Sequence, residues 1–264
     1  MARVATMLAR SCVLAGLAGC YDPDATVGAP CSQLVTCPEG QSCALVDGRR
    51  ICVVEVAPDG GGPSQWTLVQ TRSNTSLSNL PIAAVGAKHA IIVAIETDVG
   101  AVTSVIDNAG SVYLPVAGSR AINTTENLGI ELWYTASSNA GATTITASAP
   151  MIWAIASWEV AGLSNTSPLG AVAKLDNQPA TTSPAGASIT TAGAGEFVVS
   201  IAIVANTVSG LSSGSAFTND HVAFGNGWAH LTSATAPAGT YQAQWSQPTA
   251  GTFCSASAGF RLGP

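Results

Sequence analysis

Residues 210–214 of the 264-residue chain spell a serine-nucleophile pattern, Gly210-Leu211-Ser212-Ser213-Gly214. In that pattern a strand leads into a sharp turn and a helix leaves it, so the hydroxyl stands exposed over a parallel sheet. The continuation here, Ser215-Ala216-Phe217-Thr218-Asn219-Asp220-His221, carries no helical stripe, and in a chain with 27 glycines the match is chance. His89, His221 and His230 are the three histidines. Asp220 adjoins His221, but neighbours along an extended chain point to opposite faces. With no third ligand evident, surface or loop roles outweigh metal binding. Asp98 and Asp107 fall in loops without the D-x-D-x-D-G spacing of a calcium site. Glu131 and Glu159 sit in strand-like runs, where a carboxylate is ordinarily the solvent-facing half of an alternation. Their spacing does not specify a glycosidase pair. Trp133 shares a predicted outward face with Glu131, and a flat ring beside a polar group suits the apolar face of a sugar. Trp133 and Glu131 are therefore the candidate ligand-binding residues. Trp153, Trp158, Trp228 and Trp245 are expected in the core, because large aromatics dominate interior packing. No catalytic residue, metal site or cofactor is assigned.

Seven cysteines complete the reactive inventory. Cys31, Cys37, Cys43 and Cys52 form a cluster with Pro38-Glu39-Gly40 and Asp47-Gly48 as turns between them. An even set in a segment too small for a core reads as a disulfide framework, and four cysteines allow three pairings. A zinc site is the competing reading; it lacks a C-x₂-C pair and a nearby histidine. Cys254 stands alone in a strand-like run and reads as a buried thiol acting as a small hydrophobe.

The N-terminus explains the remaining two. Arg3 and Arg10 precede a short apolar run from Cys12 to Gly19, the layout of a signal peptide and far too short to span a bilayer. The run ends Leu17-Ala18-Gly19-Cys20, which resembles the lipobox of bacterial lipoproteins. That resemblance implies cleavage before Cys20 and a diacylglycerol on its thiol. Two or more fatty chains, at roughly 0.8 kcal/mol per buried CH₂, anchor a protein stably. Asp22 is not adjacent to Cys20, which favours the outer membrane.

Nine basic residues less Arg3 and Arg10 leaves seven against fifteen acidic ones, a formal −8 after cleavage. Such a balance argues against nucleic acid and against a polybasic membrane patch. Only 9% of residues are charged, so the surface is polar mainly through hydroxyls. The expected organisation is a signal peptide (1–19), a lipidated cysteine-rich stalk (20–56), a linker (57–63) and one large domain (64–264). The linker, Ala57-Pro58-Asp59-Gly60-Gly61-Gly62-Pro63, holds neither helix nor strand.

From Ser64 onward, short β-like runs alternate with Gly, Asn, Ser and Pro clusters every eight to twelve residues, the rhythm of a sandwich or barrel. Phe197–Val204 is apolar on both faces and is expected centrally in a sheet. Val105–Tyr113 is expected to form a hairpin, with Gly110 at a positive φ. The fold expected is all-β: an antiparallel two-sheet β-sandwich after a small disulfide-rich segment. Asp107-x-x-Gly110-x-x-Tyr113, Glu131-Leu-Trp-Tyr134, Gly141-Ala-Thr-Thr-Ile-Thr146 and Trp158-Glu-Val-Ala-Gly162-Leu163 then resemble a widespread bacterial extracellular β-sandwich module. The match continues in Ser167-Pro168-Leu169 and Gly195-Glu-Phe-Val-Val199. It covers nearly all of 64–264 and implies a jelly-roll-like fold; that module has no settled activity, so it carries over no functional residue.

The functional expectation is a cell-envelope lipoprotein displaying a non-enzymatic module for carbohydrate or a partner protein. A structural or adhesion component is the alternative, and a hydrolase is third.

Overall fold

The computed structural model describes residues 41–46, 49–54, 65–75 and 78–263. The signal and lipidation region, with Cys20, Cys31 and Cys37, lies outside the described residues. The chain divides into two compact units at Gly62/Pro63. Among the described residues the structure is nearly all β, built from several antiparallel sheets, and its helical content is a 3-10 turn at Ala223–Gly225. No helix among them is long and apolar enough to cross a membrane.

The first unit contributes one hairpin, β1 (Gln41–Val46) with β2 (Arg49–Val54).

In the second unit the chain runs the same path twice. The first half begins with β3 (Thr67–Thr75), β4 (Asn79–Pro81), β5 (Ala90–Thr97) and β6 (Ser104–Asp107). It continues with β7 (Leu114–Pro115), β8 (Ala121–Asn123), β9 (Leu128–Thr135), β10 (Thr144–Ser148) and β11 (Ile152–Ala161). The second half supplies β12 (Leu169–Thr181), β13 (Ile189–Thr190), β14 (Phe197–Val204), β15 (Gly210–Leu211) and β16 (Phe217–His221). It ends with β17 (Gly227–Leu231), β18 (Thr240–Tyr241), β19 (Trp245–Ser246) and β20 (Gly251–Phe260).

The large sheet of the first half has the order β3-β11-β5-β9-β7, with β8 also on β9; that of the second is β12-β20-β14-β17-β16. In both, the opening strand of the half lies at the edge beside its closing strand. The accessory strands repeat too: β4-β10-β6 in the first half, β13-β18 and β15-β19 in the second.

The central strands of each large sheet are buried on both faces, and strand alternation sorts their side chains accordingly. Along β5, Ala90, Ile92 and Ala94 enter an apolar seam shared by the two halves, while Ile91, Val93 and Ile95 pack under the β4-β10-β6 sheet. Along β14, Phe197, Val199, Ile201 and Ile203 enter the same seam, and Val198 and Ala202 pack beneath the second half's accessory strands. This is why both strands are apolar over most of their length. Trp158, Trp228, Phe197 and Phe260 are fully buried in the seam, each contributing about 1.5–3 kcal/mol relative to exposure.

The loops entering β5 and β14 also correspond: Gly86-Ala87-Lys88-His89 and Gly193-Ala194-Gly195-Glu196. Lys88 (φ 61) and Gly195 (φ 73) are both left-handed. Gly86 N–H and Gly193 N–H each donate to a buried carboxylate, Glu159 Oε1 at 2.9 Å and Glu196 Oε1 at 3.0 Å. Glu159 lies on β11, the strand paired with β5, whereas Glu196 immediately precedes β14 itself. Gly259 occupies in β20 the register place of Glu159 in β11, and a Cβ there would stand 3.0 Å from Glu196 Oε2.

One expected element is corrected. Val105–Tyr113 is no hairpin: β6 pairs with β10, and β7 pairs with β9. Asp107 organises the turn instead, accepting the N–H groups of Ala109 and Ser111 and the hydroxyl of Tyr113. Gly110 does adopt its expected positive φ of 76°.

Candidate functional site

Trp133 and Glu131 do not form an exposed platform. Trp133 is 8% exposed and Glu131 9%, because the β4-β10-β6 sheet covers the face predicted to be outward. Alternation marks a wet face only where a sheet has one, and β9 has none. Trp133 Nε1 donates to Glu131 Oε1 at 3.0 Å, and Val102 N–H donates to Glu131 Oε2 at 3.2 Å.

The other polar candidates are likewise committed to the fold. Buried Glu159 accepts from His89 Nδ1 (2.6 Å), Gly86 N–H (2.9 Å) and Gln70 Nε2 (2.6 Å), so its oxygens are saturated. Asp220 accepts from Trp158 Nε1 at 2.7 Å and pairs with His230 Nδ1 at 2.8 Å, joining the two halves across the seam. His221 Nε2 meets Thr71 Oγ1 at 2.6 Å, and burial lowers its pKa, opposed by Asp220. Ser212 follows the two-residue β15 and enters a turn rather than a helix, so the nucleophile elbow is absent there. Cys254 is a free thiol buried in the seam; burial first, then the Glu96 charge, pushes its pKa up to about 12, which removes its nucleophilicity. Trp158, Trp228 and Trp245 are core residues as expected, whereas Trp153 is only partly buried.

Trp153 leads to the open site. At the end of the seam where β5 and β14 both terminate lies a cleft of about 290 Å³, lined by Glu96, Glu126, Leu128, Asn206, Thr207 and Phe224 among others. Glu96, 1% exposed, forms its floor. Its Oε2 accepts from Asn226 Nδ2 at 2.9 Å, and Asn226 Oδ1 accepts Val204 N–H at 2.8 Å, so one buried amide ties β5 to the end of β14. Glu96 Oε1 has no partner. Burial pushes the carboxyl up to about 8, with the Asn226 bond pulling partly back. At neutral pH it is a neutral acid, able to donate and accept. On the neighbouring strand, a bulge between Ile152 and Ala154 places Trp153 beside Ala154, the register partner of Glu96. Its buried Nε1 is also unpartnered. A buried polar atom without a partner ordinarily costs about 1–3 kcal/mol, and of the two residues only Glu96 lines the cleft, from which a partner can come.

The rim is equally fixed. Phe224 is 50% exposed yet left-handed (φ 54, ψ 26), a conformation that costs a bulky residue about 1–2 kcal/mol. Its turn is pinned by Val208 N–H to Gly225 O (2.8 Å) and by Trp228 Nε1 to Ala223 O (3.1 Å). The Phe224 ring lies 5.7 Å from that of Trp153. Opposite, Glu126 accepts from Thr252 Oγ1 at 3.2 Å, and Thr252 in turn accepts from buried Asn123 Nδ2 at 3.0 Å. Asn206 is braced by the carbonyls of Thr249 and Ala250.

The cleft thus combines a neutral acid, a hydroxyl, a surface carboxylate and an aromatic face, with Trp153 behind the Phe224 ring. It lacks a lining cation, so an anion is disfavoured. A hydroxyl donates and accepts, and so matches a neutral carboxyl, which does both. Among the described residues no three His, Cys, Asp or Glu side chains are grouped to hold a metal.

No family model, curated protein or solved structure matches this chain.

Sequence reasoning passed over Glu96, Asn226 and Phe224. Each had a signal: an acid closing an otherwise apolar run, Ala90-Ile-Ile-Val-Ala-Ile-Glu96, and an aromatic inside a Gly/Asn turn, Phe224-Gly-Asn226-Gly.

Proposed function

We propose that the chain is an exported lipoprotein, cleaved before Cys20 and held on the cell envelope, most readily the outer membrane, by lipid on that cysteine. Its stalk carries a non-enzymatic module that binds neutral carbohydrate in the Glu96 cleft. We read each half of that module as a jelly-roll sandwich. The observation that carries the binding reading is the unpartnered Glu96 carboxyl oxygen in a cleft whose rim is the half-exposed ring of Phe224. A sugar hydroxyl answers the carboxyl and the ring covers an apolar sugar face. A volume near the lower bound of about 300 Å³ for ligand pockets suits one sugar ring rather than a long chain segment.

A second reading, a partner protein in an adhesive or structural role, is favoured by exposed Ile106, Val112 and Leu114 around β6 and β7. Serine at all three positions would abolish a partner contact and leave sugar binding intact.

The test is binding of soluble 64–264 to a glycan array and to insoluble polysaccharides, beside Glu96→Leu and Phe224→Gly. Saturable binding that both substitutions remove, with unchanged circular dichroism, supports the reading. Absence of binding across the panel, or binding that both variants retain, overturns it.

A further inference from the structure

The four stalk cysteines leave three pairings open by spacing alone. The register of the first unit discriminates among them. In the β1–β2 hairpin, Val46 pairs with Arg49, Leu45 with Arg50, Ala44 with Ile51 and Cys43 with Cys52. Two residues separate the strands, and the pair flanking such a connection is the one that exchanges hydrogen bonds. Hydrogen-bonded and non-hydrogen-bonded pairs then alternate outward, which puts Cys43 and Cys52 at a non-hydrogen-bonded pair. Opposed Cα atoms there stand about 4.5 Å apart, inside the roughly 4.4–6.8 Å that a disulfide spans without moving the backbone. Hydrogen-bonded pairs, at about 5.5 Å, also fall in that range, so the inference survives a change in which pairs exchange bonds. A two-stranded hairpin is marginally stable alone in water, and the described residues of this unit hold no third strand. A cross-strand link supplies what further strands would otherwise provide.

We infer that Cys43 and Cys52 are joined by a disulfide across the β1–β2 hairpin, which leaves Cys31 and Cys37 as the second pair. In the forming step the two thiols lose two protons and two electrons, and a sulfur–sulfur bond forms. The electrons and protons pass to the disulfide of an oxidant, glutathione disulfide in the test tube or a thiol oxidant of the exported compartment. The route is thiolate attack and a mixed disulfide.

The sequence makes the connectivity readable. Cleavage after Arg49, Arg50, Glu39 and Glu55 separates Gly40–Arg49, holding Cys43, from Ile51–Glu55, holding Cys52, and from the peptide holding Cys31 and Cys37. Full-length protein is taken from the envelope and, separately, reduced and reoxidised in glutathione buffer. Both samples are alkylated, digested at these sites without reduction and weighed. The expected product is Gly40–Arg49 linked to Ile51–Glu55, with the Cys31/Cys37 peptide two hydrogens light and unlinked. In Cys43→Ser, Cys52 should be the one stalk cysteine that becomes alkylated. All three peptides joined in one species overturns the pairing, as does alkylated Cys43 or Cys52 in the wild type. Freed Cys31 or Cys37 in Cys43→Ser overturns it as well.

Discussion

Replacing Glu96 by glutamine should stabilise the β-domain, and by an amount that depends on pH. Glu96 is held near a pKa of about 8 against its ordinary 4.5. Between those values the folded state keeps a proton that the unfolded state has released, so stability falls as pH rises through this window and is flat on either side. One pKa unit corresponds to about 1.4 kcal/mol, which gives about 3 kcal/mol of lost stability at pH 7, about 4 at pH 8 and about 5 above that. Glutamine keeps the shape, still accepts from Asn226 and never ionises. The two proteins should therefore be equally stable near pH 4.5 and diverge steadily above it, the variant ahead by about 3 kcal/mol at pH 7. Urea unfolding of soluble 64–264 at half-unit intervals from pH 4 to 9 measures this directly, because other titrating groups cancel in the difference. A difference that stays constant within about 1 kcal/mol across that range would mean that Glu96 is solvated and ionised, and the account of the cleft floor would be wrong.

Phe224→Gly removes a left-handed strain of about 1 kcal/mol and incurs a glycine entropy cost of similar size. Its melting temperature should hardly move while carbohydrate affinity falls about tenfold or more, worth about 1.4 kcal/mol; a parallel loss of stability would refute the rim role. Asp220→Ala strands Trp158 Nε1 and His230 Nδ1 in the seam, at about 1–3 kcal/mol each. A calorimetric midpoint lower by roughly 10 °C is expected, since about 1 kcal/mol moves a domain of this size by about 2–4 °C. Trp133→Ala should cost about 3–5 kcal/mol through cavity formation and leave the affinity of the folded protein unchanged, as equilibrium binding below the melting range would register.

The β content was legible because it rests on local signals: short β-branched runs, Gly/Asn punctuation, and the doubly apolar Phe197–Val204 that marks a strand covered on both sides. The features that escaped were long-range. Glu131 and Trp133 alternate with apolar neighbours as a wet face would, and nothing local announces that the β4-β10-β6 sheet lies over them. Glu96 and Asn226 are 130 residues apart and meet only because two sheets close on one seam. The repeat was hidden because its shared residues are few, the Gly-Ala pairs at 86–87 and 193–194 among them, while the buried carboxylate beside each changed strands.

That repetition bears on how an acid came to sit in an apolar seam. Counting from the paired loops, Glu96 corresponds to Ile203 in the second half, and Ile203 lies in the same seam. Had two identical chains assembled this way, every substitution would have arrived twice, and an acid here would have confronted its own copy across the join. Two carboxyls crowded into one dry place repel each other and force one to stay protonated. Linking both copies in a single polypeptide frees each to drift alone. One could acquire the acid and its amide companion while the other stayed greasy, so each molecule carries a single acid-floored cleft where a symmetric pair would have carried two.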